Sequence, residues 1–219
     1  MTAKYVVFEG IDGTGKSTQA KKTAQYLREQ GFSVLETKEP GTQLLPITME
    51  LRNLMLNSEF DSQITNTARE LLSQAIRSIH IEKLILESLD KYDYIIQDRG
   101  VLSNFAYGNA CGNSIKMISD INMINITALK SRNNYYDLYD KVILLKGDPT
   151  NSLNRAANSK KEFEQGDALE AKGTDFMKLV GENMQKYSTL FNTTQINIDN
   201  KDIESVFDEI KKILNVEKK

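Results

Sequence analysis

Gly10-Ile11-Asp12-Gly13-Thr14-Gly15-Lys16-Ser17 fits the phosphate-loop pattern G-x-x-x-x-G-K-[ST] at every fixed position. Just before it, Tyr5-Val6-Val7-Phe8 is a short, apolar, β-prone run that predicts a buried strand. From Lys16 onward Ala20, Ala24 and Leu27 recur on one helical face, and Gly31 is placed to end the helix. Strand, glycine-rich turn and helix N-terminus together aim backbone N–H groups and the positive end of the helix dipole at phosphate oxygens. Gly10, Ile11, Asp12, Gly13, Thr14, Gly15, Lys16, Ser17 and Thr18 are therefore expected to hold a nucleoside triphosphate. Lys16 would reach its β- and γ-phosphates, and the Ser17 hydroxyl would ligate Mg2+. A chance glycine turn is the bland alternative, and the flanking strand and helix weigh against it.

The composition of the chain suits one compact enzyme. Its 219 residues are 40% hydrophobic, enough for a substantial core, and predict one domain over 1–219. A net charge of −2 argues against a nucleic-acid surface, which needs a basic excess. No apolar run is long enough to span a membrane, and the first residues read as a strand rather than a signal peptide. Cys111 is the single cysteine, so no intramolecular disulfide forms and a cytoplasmic location is expected. An inert, partly buried thiol is its simplest role. His80 is the single histidine, which leaves little for a Ser-His-Asp triad or a multi-histidine metal site.

Strand and helix alternate through the rest of the sequence. Val34-Leu35-Glu36-Thr37, Tyr94-Ile95-Ile96-Gln97, Val142-Ile143-Leu144-Leu145 and Gln195-Ile196-Asn197-Ile198 predict four further strands. A helix is expected over 47–56. A longer one is expected over about 66–89, with Ala68, Leu71, Leu72, Ala75 and Ile79 at helical spacing. The last helix opens near Asp199 or Asn200, with Ile203, Val206, Phe207, Ile210 and Leu214 on its inner face. Strands separated by helices imply an α/β fold with a parallel sheet, right-handed crossovers and ligands at the carboxyl ends of the strands.

The unusual residues do follow the strands. Lys38-Glu39-Pro40-Gly41-Thr42 follows the second and Asp98-Arg99 the third. Gly147-Asp148-Pro149 follows the fourth and leads to Arg155, Lys160, Lys161, Asp167 and Glu170. An acidic residue facing a phosphate loop, here Asp98, can organise Mg2+ through water. An arginine beside it can fork onto a phosphate. Taken alone, Asp98-Arg99 would read equally well as a helix cap and a surface cation.

The ordered set Gly10 to Ser17, Glu39-Pro40-Gly41, Glu70…Arg77…His80, Asp98-Arg99…Ser103…Ala106-Tyr107 and Asp167…Glu170 resembles the thymidylate kinase family over nearly the whole chain. The resemblance implies a P-loop kinase fold: a five-stranded parallel sheet flanked by helices, with a mobile lid at about 148–172. It implies transfer of the γ-phosphate of ATP to dTMP with Mg2+, and homodimers formed through long helices. Its partners would be small nucleotides, with no nucleic acid and no membrane. By the same resemblance Asp12 accepts the 3′-OH of the acceptor sugar and Arg99 grips the acceptor phosphate. Lys38 stands where arginine is common, and Glu39-Pro40 shapes the acceptor pocket, with a cis bond before Pro40 expected. Arg77 and Asn104 address the base, and Tyr107 crowds the sugar 2′ position. His80 is assigned packing rather than catalysis. The loop carries no arginine, so Arg155 is the expected source of transition-state charge, backed by Lys160 and Lys161.

The departures from the family concentrate where the base would lie. Ser73 replaces a stacking phenylalanine, Gly100 a tyrosine and Gly108 a glutamine, and Tyr136-Asp137-Leu138 lacks the usual proline; within Asp167-Ala168-Leu169-Glu170, Ala168 replaces an arginine. They leave room for a modified, 5-substituted pyrimidine monophosphate as the acceptor. Two further functions share a phosphate loop: a deoxynucleoside kinase and a non-enzymatic nucleotide switch. Lys38 and Arg99, both suited to an acceptor phosphate, weigh against the deoxynucleoside kinase. The absence of a water-positioning residue weighs against the switch.

Overall fold

The computed structural model describes residues 2–126, 138–159 and 168–216. In chain order the strands are β1 (Lys4–Glu9), β2 (Val34–Lys38), β3 (Tyr94–Asp98), β4 (Lys141–Lys146) and β5 (Thr193–Asn197). The helices are α1 (Lys16–Glu29), α2 (Pro46–Leu56), α3 (Asn66–His80), α4 (Leu86–Ser88), α5 (Val101–Ala110), α6 (Ile115–Ile126), α7 (Pro149–Ser159), α8 (Gly173–Ser188) and α9 (Ile203–Leu214). A π-helical turn, Ile81–Ile85, joins α3 to α4.

All strand pairings are parallel, in the order β2-β3-β1-β4-β5. Alternate residues along each strand point to opposite faces. Tyr5, Val7, Ile95, Val142 and Leu144 therefore join one core, with α5, α8 and the π turn. Val6, Phe8, Tyr94, Ile96, Ile143 and Leu145 join the other, with α1 and α9. Apolar residues on both faces explain why the strands read as unbroken hydrophobic runs. Phe8 and Lys38 both lie opposite Asp98 in the register, which aligns the ends of β1, β2 and β3 beneath the loops that follow them.

Three expectations need correction. The long helix turns its apolar stripe only partly inward: Leu71 is 51% exposed and Ala75 is exposed, while Leu72 packs against Met55, Leu56 and Ile76. Its buried residues include Arg69, Glu70, Gln74, Arg77 and His80, because the side toward the protein lines a polar cavity. The last helix starts at Ile203, capped by Asp202, whose side chain accepts from Ser205 N, and Ile203 itself is 55% exposed. The fifth strand begins at Thr193, two residues earlier than the apolar pattern suggests.

β3 passes into α5 through Arg99 and Gly100. Gly100 has extended backbone (φ −163°), so space rather than conformation demands glycine there. A Cβ would collide with the Tyr139 hydroxyl and lie 3.1 Å from Val7 Cγ2. That hydroxyl accepts from Val101 N at 3.1 Å, and the Tyr139 ring stands edge-on to Tyr5 with centroids 4.9 Å apart. Gly100→Ala is expected to destabilise the protein by about 1–3 kcal/mol through overpacking. Tyr139→Phe in the same chain should recover part of that loss, which a double-mutant cycle in urea measures.

Candidate active site

The phosphate loop lies between β1 and α1. Gly13 has φ +78°, and a Cβ there would run into the backbone of Ser152, so the loop is pressed against α7. Gly15 adopts left-handed backbone at the start of α1. Within the loop Asp12 Oδ1 accepts from Lys16 Nζ at 3.1 Å and also from Arg99 Nη2; the Tyr107 hydroxyl reaches Asp12 Oδ2 at 3.4 Å. Burial alone would favour the neutral carboxyl, yet Arg99 and Lys16 hold Asp12 well below the usual carboxylate range. Lys16 is pushed below its ordinary value by burial and by the Arg99 cation, which together outweigh Asp12.

Arg99 is built into its position. Its backbone is left-handed (φ +66°), uncommon outside glycine, and its N–H donates to Phe8 O at 2.9 Å. Gln97 Nε2 donates to its carbonyl at 2.7 Å. Beyond Asp12, the guanidinium donates to Ser103 Oγ at 3.1 Å and sits 5.2 Å from the Tyr107 ring centroid. Burial opposes its charge, but Asp12 and its neighbours raise it further above the normal arginine value.

Glu9, which sequence reasoning passes over as the last residue of a strand, is fully buried beneath this turn. It accepts from Gly100 N at 2.9 Å, from Ser103 N at 3.1 Å and from Ser103 Oγ. It thus caps α5 from another element. Burial pushes its pKa up, against the pull of those donors. The only sequence signal is an acidic residue closing an otherwise apolar strand.

A deep cavity opens from Asp12 and Arg99 and is lined by α3 and α5. It includes Glu39, Pro40, Arg77, Asn104 and Tyr107, together with Ser73, Gly100 and Gly108. Among the described residues Tyr107 is its only aromatic lining, consistent with the missing stacking ring at Ser73. The Glu39–Pro40 bond is cis. Glu39 Oε2 accepts from Arg77 at 2.7 and 2.9 Å, and its other oxygen lies 3.1 Å from His80 Nδ1. His80 also meets Thr37 Oγ1 at 2.7 Å, a packed, hydrogen-bonded place that agrees with the packing role expected of it. Arg77 further donates to Asn122 Oδ1 at 2.9 Å. Lys38 does not line this cavity: it is exposed at the end of β2, beside a shallower depression with Ser17, Lys21 and Asp98. Arg155 on α7 donates to Gly13 O at 3.1 Å, against the phosphate loop. Lys160, Lys161 and Asp167 lie outside the described residues.

Ser17 Oγ donates to Asp98 Oδ2 at 2.5 Å, and Asp98 Oδ1 is buried without a hydrogen-bond partner among the described residues. A hydroxyl and a carboxylate with an orphaned oxygen fit Mg2+, which takes few protein ligands and keeps waters and phosphate oxygens. Among the described residues no cluster of three or more His, Cys, Asp or Glu could cage a metal by itself.

A phosphate loop that shares one carboxylate with the arginine of an adjoining cavity fits a P-loop nucleotide kinase. The thymidylate kinase family model matches residues 8–210. A thymidylate kinase from Caldicellulosiruptor saccharolyticus is 30% identical over 217 residues, covering 98% of this chain and 97% of that one. A probable thymidylate kinase from Thermococcus kodakarensis is 32% identical over 211 residues, 94% of each chain. The crystal structure of the Ehrlichia chaffeensis thymidylate kinase shares the fold, with a TM-score of 0.68 at 24% identity over 99% of this chain and 100% of that one. The structure of the Candida albicans thymidylate kinase gives a TM-score of 0.72 at 19% identity, over 98% of this chain and 92% of that one. The chain belongs to the thymidylate kinase family.

Burial works against ionisation of Glu39, but Arg77 and His80 hold its pKa down at about 2. A group depressed from its ordinary 4.5 adds stability that is complete above that value and drains away as pH falls toward 2. The stability difference between the wild type and Glu39→Gln should therefore shrink by up to about 3 kcal/mol between pH 5 and pH 2. Urea denaturation across that range measures it.

Proposed function

We propose that this protein transfers the γ-phosphate of ATP to dTMP, giving dTDP and ADP. The observation that carries the reading is Asp12 Oδ1, which joins the donor-side Lys16 to the acceptor-side Arg99. Lys16 holds the β- and γ-phosphates, and an arriving triphosphate restores the charge that burial disfavours. Arg99 grips the acceptor phosphate, whose oxygen forms the new P–O bond as the bond to the ADP oxygen breaks. That oxygen is already anionic, so no strong general base is needed; alignment and charge stabilisation do the catalysis. Mg2+ bound at Ser17 and Asp98 would offset charge on the triphosphate.

In this reading Asp12 accepts the 3′-OH and Tyr107 closes the space beside the sugar 2′ carbon. Glu39-Pro40, Arg77 and Asn104 form the base end. Lys38, at the rim, adds to the positive field over the phosphates rather than entering the acceptor cavity. Arg155, held against Gly13, supplies the remaining charge, and residues 148–172 act as the lid of a single kinase domain spanning 1–219. Two copies associate through the outer faces of α3 and α6, where Leu71 and Ile124 are 51% and 68% exposed. The setting is cytoplasmic. Among the described residues no helix is long and apolar enough to cross a membrane.

Purified protein supplied with ATP and Mg2+ should phosphorylate dTMP and leave thymidine untouched. Lys16→Ala should lower kcat by about 10^3-fold or more, the loss of a preorganised charge on the transferring group, with an unchanged melting temperature. Efficient use of thymidine with dTMP inert would move the protein to the nucleoside kinases. Near-normal turnover by folded Lys16→Ala would remove the phosphate-transfer reading itself.

A further inference from the structure

The base end of the acceptor cavity contains a closed set of buried amides around one carboxylate. Glu70, on α3, is 4% exposed and lines the cavity. Its Oε1 accepts from Gln74 Nε2 at 2.9 Å and from Asn104 Nδ2 at 2.8 Å. Asn104 Oδ1 is already taken by two donors, Gln74 Nε2 at 2.9 Å and Asn122 Nδ2 at 2.7 Å. Gln74 Oε1 accepts from Asn125 Nδ2 at 2.7 Å and Arg77 Nη1 at 3.4 Å. Glu39 is occupied by Arg77 and His80. The amide oxygens of Gln74 and Asn104 are therefore each taken by two donors within the protein.

Glu70 has a second carboxylate oxygen. Among the described residues no donor reaches Glu70 Oε2. It faces Gly108, where a Cβ would stand only 2.8 Å away, and Gly108 also lines the cavity. With Oε1 held by two amides, the carboxylate is fixed in orientation and turns Oε2 to the open cavity, where a ligand donor can meet it.

We propose that Glu70 is a specificity-determining residue whose Oε2 accepts the N3–H of the acceptor pyrimidine. The inference rests on the dTMP kinase reading. α5 runs along the cavity from the Arg99 end, through Ser103, Asn104 and Tyr107, to Gly108. With the phosphate at Arg99 and the sugar at Asp12 and Tyr107, the base lies between α3 and α5, where Arg77 and Glu70 are two helical turns apart on one element. Arg77 then donates to the O4 carbonyl and Glu70 accepts from N3–H, which is the donor pattern of thymine and uracil. Cytosine would turn its N3 lone pair toward the carboxylate and be rejected. Asn104 acts by orienting Glu70 rather than by touching the base. Absence of a side chain at Gly108 keeps Oε2 open.

The test compares binding of dTMP with that of N3-methylthymidine monophosphate, which lacks the N3–H donor and keeps both carbonyls, by calorimetric titration of the whole protein. Wild type should prefer dTMP on the order of 10- to 100-fold, the range for a hydrogen bond to a charged group. Glu70→Gln should bring that ratio down several-fold and narrow the gap between dTMP and dCMP, because an amide can turn its NH2 toward cytosine N3. Gly108→Ala, which leaves the amide network in place and covers Oε2 with a methyl group, should also reduce the ratio. A merely structural role would weaken both analogues equally. An unchanged ratio of dTMP to N3-methyl analogue in both folded variants would overturn the assignment. Failure of wild type to bind dTMP at all would instead sink the dTMP kinase reading on which it rests.

Discussion

One charge cluster holds the two halves of this site together. Lys16 belongs to the phosphate loop, Arg99 to the turn after β3, and both donate to the same oxygen of Asp12. Without that carboxylate two buried cations would face each other in a low-dielectric pocket. With it, the phosphate loop and Arg99 are fixed relative to one another. The parallel register makes this possible, because Phe8 pairs with Asp98 and accepts the Arg99 N–H, setting the end of β3 beside the start of the loop. Glu9 and Gln97 then lock the turn, so the left-handed backbone of Arg99 is maintained by hydrogen bonds on both sides.

The cavity beside Arg99 uses a different device. α3 turns a polar face inward, and its Arg77, Gln74 and Glu70 are bound to amides and carboxylates from α5, α6 and the β2 exit. Such a network costs desolvation and returns rigidity, since each member has few alternative partners. Preorganised groups suit a reaction in which positioning supplies most of the rate. Tyr139 fills the space that a side chain at Gly100 would need, in the turn that follows Arg99.

The sheet is legible in the sequence because buried parallel strands write themselves as unbroken apolar runs, and the phosphate loop because its glycines and lysine occur at fixed spacing. Asp98-Arg99 is legible because it follows a buried strand facing that loop. The face of α3 is not: Leu71 and Ala75 follow a helical period, but apolar periodicity does not distinguish a core face from an exposed one when the inward face lines a polar cavity. Glu9 escapes for the complementary reason. Its partners are backbone N–H groups some ninety residues later in the chain, and no local pattern announces them. Lys38 shows that correct order along the chain does not guarantee the right side of a strand end.

A ligand that spans both sites measures the central claim most directly. Adenosine and thymidine joined 5′ to 5′ through five phosphates should occupy the phosphate loop and the acceptor cavity together. If Asp12 fixes Lys16 and Arg99 across one shared gap, this molecule should bind on the order of 100-fold more tightly than ATP or dTMP alone, because the second engagement is intramolecular. Binding no tighter than ATP alone, with dTMP still able to bind in its presence, would show that the cavity at Arg99 does not face the phosphate loop as an acceptor site.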